Sequence, residues 1–198
     1  GRMVFASSSS VYGNAERYPT METDPPRPRS PYGVTKLAAE HLCRTYADNW
    51  GTPSVLLRFF TVYGPRQRPD MAFNRLLSAA LLGESFPMYG DGSQIREFTY
   101  VADVVAANLA AASADVAPGE IINVSGGSAV SLADAIATAE DLVGGEVKLD
   151  RQPAAPGDAA RTGGSMEKAQ RLLGWSPVTD LRTGMGEELA WLRGLVGV

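Results

Sequence analysis

Cysteine and histidine are almost absent from this sequence: 198 residues hold one of each, Cys43 and His41. A single thiol excludes an internal disulfide and any multi-cysteine zinc site, and one imidazole leaves little for histidine catalysis or metal binding. No apolar run reaches the roughly 18 residues of a membrane span, and Gly1–Ser10 lacks the charged and apolar zones of a signal peptide. Positive charge is not in excess either. Eighteen Lys and Arg against 22 Asp and Glu give a net charge of −4, which argues against a general nucleic-acid binder. The remaining composition, 44% hydrophobic and 20% charged with 21 Gly and 13 Pro in no period, excludes collagen-like, coiled-coil and disordered chains. The length suits one large domain or two small ones, with roughly 70% of the chain's surface buried on folding. The expectation is a soluble, cytoplasmic α/β protein.

Met3–Ala6 reads as a short buried strand running into the polar tract Ser7–Ser10. Five prolines between Pro19 and Pro31 mark a surface loop. A helix is expected from about Tyr32 to Asn49, where Val34, Leu37, Ala38, His41 and Leu42 recur at helical spacing before Gly51 and Pro53. Ser54–Phe60 is a nearly all-apolar strand, as parallel strands covered on both faces are. Further helices are expected at Ala72–Leu82, Asp103–Ala112, Leu132–Val143, from a Ser165 cap through Leu173, and at Leu181–Leu195. Short strands are expected at Pro87–Tyr89, Glu97–Val101, Ile121–Val124 and Val147–Leu149. Strands alternating with helices predict an α/β fold with a mainly parallel sheet. Only one apolar strand precedes the first long helix, so the chain is expected to start in mid-fold.

Tyr32-Gly33-Val34-Thr35-Lys36 sets a tyrosine and a lysine four apart at a helix start, hence on one face. A cation beside a phenol favours the phenolate and makes proton transfer usable near neutrality. On its own this spacing equally describes an exposed helix pair. The serine tract before Val11-Tyr12-Gly13 reads as a solvated loop or, at a strand's carboxyl end, as the place where open α/β sheets bind ligands. Ser8 lies 24 residues before Tyr32, and strand, serine tract, loop and helix together make a specific pattern.

These segments resemble the extended short-chain dehydrogenase/reductase family, and within it the nucleotide-sugar epimerases. The resemblance continues through Leu57–Arg66, Tyr89–Val101 and Leu172–Trp175, over nearly the whole chain. It implies a Rossmann-type parallel sheet with a smaller α/β lobe: residues 1–60 and about 102–125 for NAD, about 61–101 and 126–198 for the nucleotide-sugar. It further implies that Ser8, Tyr32 and Lys36 are catalytic, with Tyr32, Lys36 and Phe60 at the NAD nicotinamide and ribose. Ser8, Ser9, Ser10, Pro87, Tyr89, Arg96, Asp158 and Arg161 would contact a UDP-sugar, Arg96 gripping its diphosphate. From the residues alone, Phe60 also reads as core, Arg96 as an ion pair with Glu97, and Asp158 as a loop acid; Tyr12, Tyr63 and Tyr100 read as packing aromatics, with Tyr63 alternatively lining the active-site mouth.

The implied activity is NAD-dependent 4-epimerisation of a UDP-hexose, with no metal, no nucleic acid, no membrane, and a homodimer formed through the helix at 32–49. Related dehydratases and decarboxylases carry acidic residues where this sequence has Ser9 and Ser10. A dehydratase, decarboxylase or keto-sugar reductase stays open as the alternative, as does a non-catalytic fragment. Ala155 and Gly163-Gly164-Ser165 depart from the family pattern. The family's Gly-rich pyrophosphate turn has no counterpart here, so the chain is expected to be the C-terminal two-thirds of such an enzyme and to bind NAD poorly alone.

Overall fold

The computed structural model describes residues 1–153 and 161–197. Three parallel strands form the first sheet: β1 (Met3–Ser8), β2 (Ser54–Phe59) and β6 (Glu120–Val124), in the order β1-β2-β6. β2 is central and buried along almost its whole length, which accounts for its unbroken apolar run. Register pairs Ser8 with Phe59 and Phe59 with Val124, so all three carboxyl ends finish level.

The connection from β1 to β2 passes through a 3-10 turn (Ser9–Val11) and helix α1 (Pro31–Trp50). Ser30 caps α1 by accepting from the Gly33 amide at 3.0 Å, Pro31 fills the first turn, and Gly51 closes it in a left-handed conformation. The other face of the sheet packs on α3 (Val101–Ser113) and α5 (Glu167–Leu173). Val55, Leu57, Ile122 and Val124 meet Val104, Ala107, Ala111, Ala169 and Trp175 there.

A second sheet joins β3 (Thr61–Tyr63), β5 (Ile95–Tyr100) and β7 (Ser128–Ser131), with β9 (Arg161–Thr162) also on β5. Its core is shared with α2 (Ala72–Leu82), α4 (Leu132–Val143) and α6 (Leu181–Val196). Tyr63, Phe73 and Phe98 sit at its centre, the Phe73 and Phe98 rings stacked 4.1 Å apart. A parallel pair, β4 (Ser85–Tyr89) and β8 (Lys148–Gln152), completes the described strands.

The α/β class and the expected helices are present, with four corrections. β3 and β7 are additional strands, and β7 runs antiparallel to β5, so the second sheet is mixed. Val101 opens α3 instead of ending a strand. The cap of α5 is Met166, one residue after Ser165, although the Ser165 hydroxyl still accepts from the Glu167 amide at 3.3 Å. β9 is a two-residue strand, too short for any periodicity to announce it.

α6 carries one acid into the interior. Glu188 is fully buried; one carboxyl oxygen accepts from the Gly64 amide at 2.9 Å and the other has no partner among the described residues. Burial pushes this carboxyl from its ordinary 4.5 up to about 7, with the Gly64 hydrogen bond pulling the other way. Between those values the folded state holds the proton more tightly than the unfolded chain, so stability falls as pH rises through the window. At about 1.4 kcal/mol per pH unit the loss is on the order of 3 kcal/mol. Glu188→Gln keeps an acceptor for Gly64 and removes the charge. Urea denaturation should find the variant more stable than the parent at pH 8, with the gap closing by pH 5; parallel pH profiles would refute this reading.

Candidate active site

At the level carboxyl ends of β1 and β2 the chain opens a cavity of about 570 Å³. One wall is the serine tract. Ser8 caps the 3-10 turn, its oxygen accepting from the Ser10 amide at 3.1 Å while its hydroxyl donates to the Ser10 Oγ at 3.1 Å. The turn curls Ser9 and Ser10 into the wall beside Ser8. Facing them is the first turn of α1, which brings Tyr32 to the cavity with its ring half exposed.

Gly33 permits that approach. A Cβ at this position would lie 2.6 Å from the Ser10 carbonyl oxygen and 3.0 Å from the Pro28 Cβ, so only glycine lets the helix start rest on the serine backbone. One turn further on, the Lys36 ammonium donates to the Ala6 carbonyl at 2.8 Å. It stands 5.6 Å from the centre of the Tyr32 ring and 5.3 Å from that of Phe5. The lysine thus ties α1 to β1 while lying beside the phenol, as the four-residue spacing predicts.

The opposite wall is Phe59–Arg68, with Met71 and Val101. Phe60 lines it, and its amide donates to the Val124 carbonyl at 3.1 Å. Arg66 and Arg68 add two guanidinium groups, Arg68 being paired with exposed Asp70. Ser8, Ser9, Ser10, Tyr32 and Phe60 therefore share one cavity, with Lys36 directly behind. Tyr63 both lines this cavity and belongs to the second core; Tyr12 is buried packing.

The remaining predicted contacts lie elsewhere among the described residues. Pro87 and Tyr89 stand on β4, Tyr89 half exposed at its end. Arg96 is on β5 and donates to the Ile95 carbonyl at 2.9 Å. Its neighbour Glu97 is buried and accepts from the Tyr18 hydroxyl, from Ser125 Oγ at 2.6 Å and from the Gly164 amide at 3.3 Å. The Arg161 guanidinium lies 3.8 Å from the centre of the Tyr18 ring and donates to that hydroxyl at 2.9 Å. The Gly163 departure has a local cause: a Cβ there would fall 2.3 Å from the Glu97 carboxyl carbon. Asp158 lies outside the described residues. Sequence reasoning missed Gly33, Glu40, Arg58 and Tyr18. Of these only Glu40 had a signal, standing four residues after Lys36 and eight after Tyr32 on the same helical face.

Residues 1–125 match the model of the NAD dependent epimerase/dehydratase family. The chain belongs to that family. It is 42% identical over 192 residues to a protein of Bacillus subtilis (strain 168) described as an uncharacterized UDP-glucose epimerase, YtcB, covering 97% of this chain and 60% of the relative. Among solved structures, UDP-glucuronic acid 4-epimerase from Bacillus cereus in complex with NAD superposes with a TM-score of 0.90 at 39% identity, over 98% of this chain and 62% of that one. MoeE5 in complex with UDP-glucose and NAD gives 0.89 at 44% identity, over 98% and 66%. The chain spans about 60% of the length of the curated relatives it matches.

The contact at Gly33 is testable in this epimerase/dehydratase family member without any substrate. Gly33→Ala forces the Ser10 carbonyl or the helix start to move, and neither is a flexible side-chain tip. Overpacking of this kind costs roughly 1–3 kcal/mol. Urea denaturation should show a loss in that range; an unchanged midpoint would mean that α1 does not rest on the serine tract.

Proposed function

We propose that the natural protein carrying this chain is an NAD-dependent UDP-hexose 4-epimerase. The observation that supports this most directly is the meeting of Ser8 and Tyr32 on one cavity with Lys36 one turn behind. The residues fit the cofactor: the cavity lies at the carboxyl ends of parallel strands, where such sheets take nucleotides, Tyr32 and Phe60 line it, and the Lys36 ammonium stands 5.6 Å from the centre of the Tyr32 ring. NAD, when bound, supplies a centre that accepts and returns a hydride. Residues 1–60 and about 102–125 would form the part of its domain present here, and residues about 61–101 and 126–198 the nucleotide-sugar lobe.

In this reading Tyr32 takes a proton from a sugar hydroxyl at its phenol oxygen. Ser8 donates a hydrogen bond to the same sugar oxygen and holds it against Tyr32. Lys36, 5.6 Å from the centre of the Tyr32 ring, would hold the cofactor ribose from its place beside the phenol. Phe60 gives the reacting centre an apolar wall that excludes water. Arg96, Pro87, Tyr89 and Arg161 would take the diphosphate and base of the UDP-sugar, together with Asp158. Arg66 suits a substrate bearing a carboxylate.

Ser9 and Ser10 separate epimerisation from elimination. Dehydration needs a group that protonates a departing hydroxyl and one that removes a proton from the neighbouring carbon. Serine hydroxyls are too weak in both roles, whereas a 4-epimerase needs neither, because hydride leaves and returns at one carbon. The reading includes a homodimer formed through α1, in support of which Val34, Leu42, Tyr46 and Trp50 are exposed on that helix. No described helix is long and apolar enough to cross a membrane. The reading carries with it a cytoplasmic location, with which the free Cys43 agrees.

Incubating the natural protein with UDP-glucose and, separately, UDP-glucuronic acid should yield an isomer of unchanged mass with no net NADH. A product lighter by water or carbon dioxide would overturn the assignment. Tyr32→Phe should lower turnover by about 10²–10⁴-fold while UDP-sugar affinity stays near that of the parent. Parental turnover in that variant would remove Tyr32 from the mechanism.

A further inference from the structure

Next to this cavity lies a buried ion pair that the proposed chemistry does not use. Glu40 on α1 is 1% exposed and Arg58 on β2 is 3% exposed. Two parallel hydrogen bonds join them, Arg58 Nε to Glu40 Oε1 at 2.9 Å and Nη2 to Oε2 at 2.6 Å. Glu40 Oε1 also accepts from the Ser7 hydroxyl at 2.5 Å, one residue before Ser8. Below, the Arg58 guanidinium lies 4.6 Å from the centre of the Tyr12 ring. The Tyr12 hydroxyl donates to Asn123 Oδ1 at 2.7 Å, and Asn123 Nδ2 donates to the Thr20 carbonyl at 3.0 Å. The remaining guanidinium nitrogen, Nη1, is buried without a partner among the described residues.

Stability is a poor explanation for this arrangement. A buried ion pair loses hydration on both partners, and apolar side chains of similar volume often do as well or better. Its distinctive property is directional: a forked pair fixes rotation and translation, which apolar packing does not. α1 needs such a constraint, because its only buried residues are Gly33, Glu40 and Ala47. Its seat on the sheet therefore depends on polar contacts. Tyr32, Lys36 and Glu40 follow one another at four-residue steps on one face, and the lower two are tied to consecutive residues of β1, Lys36 to Ala6 and Glu40 to Ser7.

We propose that Glu40 and Arg58 are positioning residues that act through the Ser7 hydroxyl, holding the Tyr32–Lys36 face of α1 in fixed register with Ser8. The inference rests on the catalytic roles assigned above to Ser8, Tyr32 and Lys36. Small displacements of reacting groups carry large rate penalties, so the clamp governs the chemical step more than substrate affinity.

Kinetics of the natural protein and its variants test this. Ser7→Ala removes one hydroxyl and leaves the ion pair intact. It should lower kcat on the order of tenfold, with KM for the UDP-sugar and the melting temperature close to those of the parent. The double variant Glu40→Met, Arg58→Met removes both charges together; it should melt near the parent temperature yet share the kcat defect. Parental kcat in Ser7→Ala overturns the proposal, as does a kcat loss in that variant matched by a fall in melting temperature. Parental kcat in a folded double variant overturns it too; if the double variant does not fold, Ser7→Ala decides alone. Tyr32→Phe, run alongside, separates the two ideas. If it is inactive while Ser7→Ala is unaffected, only the clamp fails; if it is fully active, the site assignment itself fails.

Discussion

The seating of α1 on β1 is the constraint on which the cavity depends. A helix laid over a parallel sheet is normally held by an apolar stripe, and its exact height and rotation are then soft. Here the stripe is nearly missing. A serine cap and a proline start the helix at a defined residue, Gly33 lets the first turn touch the Ser10 carbonyl, and Lys36 reaches the Ala6 carbonyl one turn later. Each contact is short and directional, and each involves backbone on at least one side. Backbone atoms of a paired strand move little, so the side chain of Tyr32 inherits the precision of β1.

The second wall is held from a different direction. Gly64 begins the turn that carries Arg66 and Arg68, and its amide is held by Glu188 from α6, 124 residues away in sequence. An acid of raised pKa is a costly way to satisfy one amide, since an apolar residue would leave only that amide unpaired. The cost is tolerable because α6 is otherwise well anchored: Met185 and Leu189 on the same helix are buried in the second core. The fold thus spends stability from a large apolar cluster on one polar contact beside the cavity. The two walls consequently answer to separate cores, one beneath β1-β2-β6 and one around β3-β5-β7.

The parts legible in the sequence were those with local signals. Tyr32 and Lys36 announce themselves by spacing, the serine tract by its place after a strand, and α1 by its cap, proline and closing glycine. β2 was readable because a central parallel strand must be apolar throughout. β7 and β9 were not, because Ser128–Ser131 and Arg161–Thr162 are short and take their conformation from pairing with β5. Glu97 looked like a partner for Arg96, yet neighbours on a strand face opposite ways, and its own partners are Tyr18, Ser125 and Gly164 from three distant segments. Arg58 was hidden for the same reason. In an apolar run, a single arginine reads as an interruption until its carboxylate is found on another element.

The cavity itself arises from a change of sheet within a few residues. β2 ends at Phe59, paired with Ser8 and Val124; β3 begins at Thr61, paired with Phe98. Phe60 is the single residue between them, and its amide still bonds to Val124. A strand that continued straight would extend the first sheet and close the space above the serines. By crossing to β5 instead, the chain leaves the carboxyl ends of β1 and β2 uncovered and turns the segment from Phe59 to Arg68 into a wall. The parallel register below brings Ser8 level with that crossing, and the α1 contacts bring Tyr32 across from it. Ser8 and Tyr32, from two sequence-distant segments, meet there because one strand end is shared by both sheets.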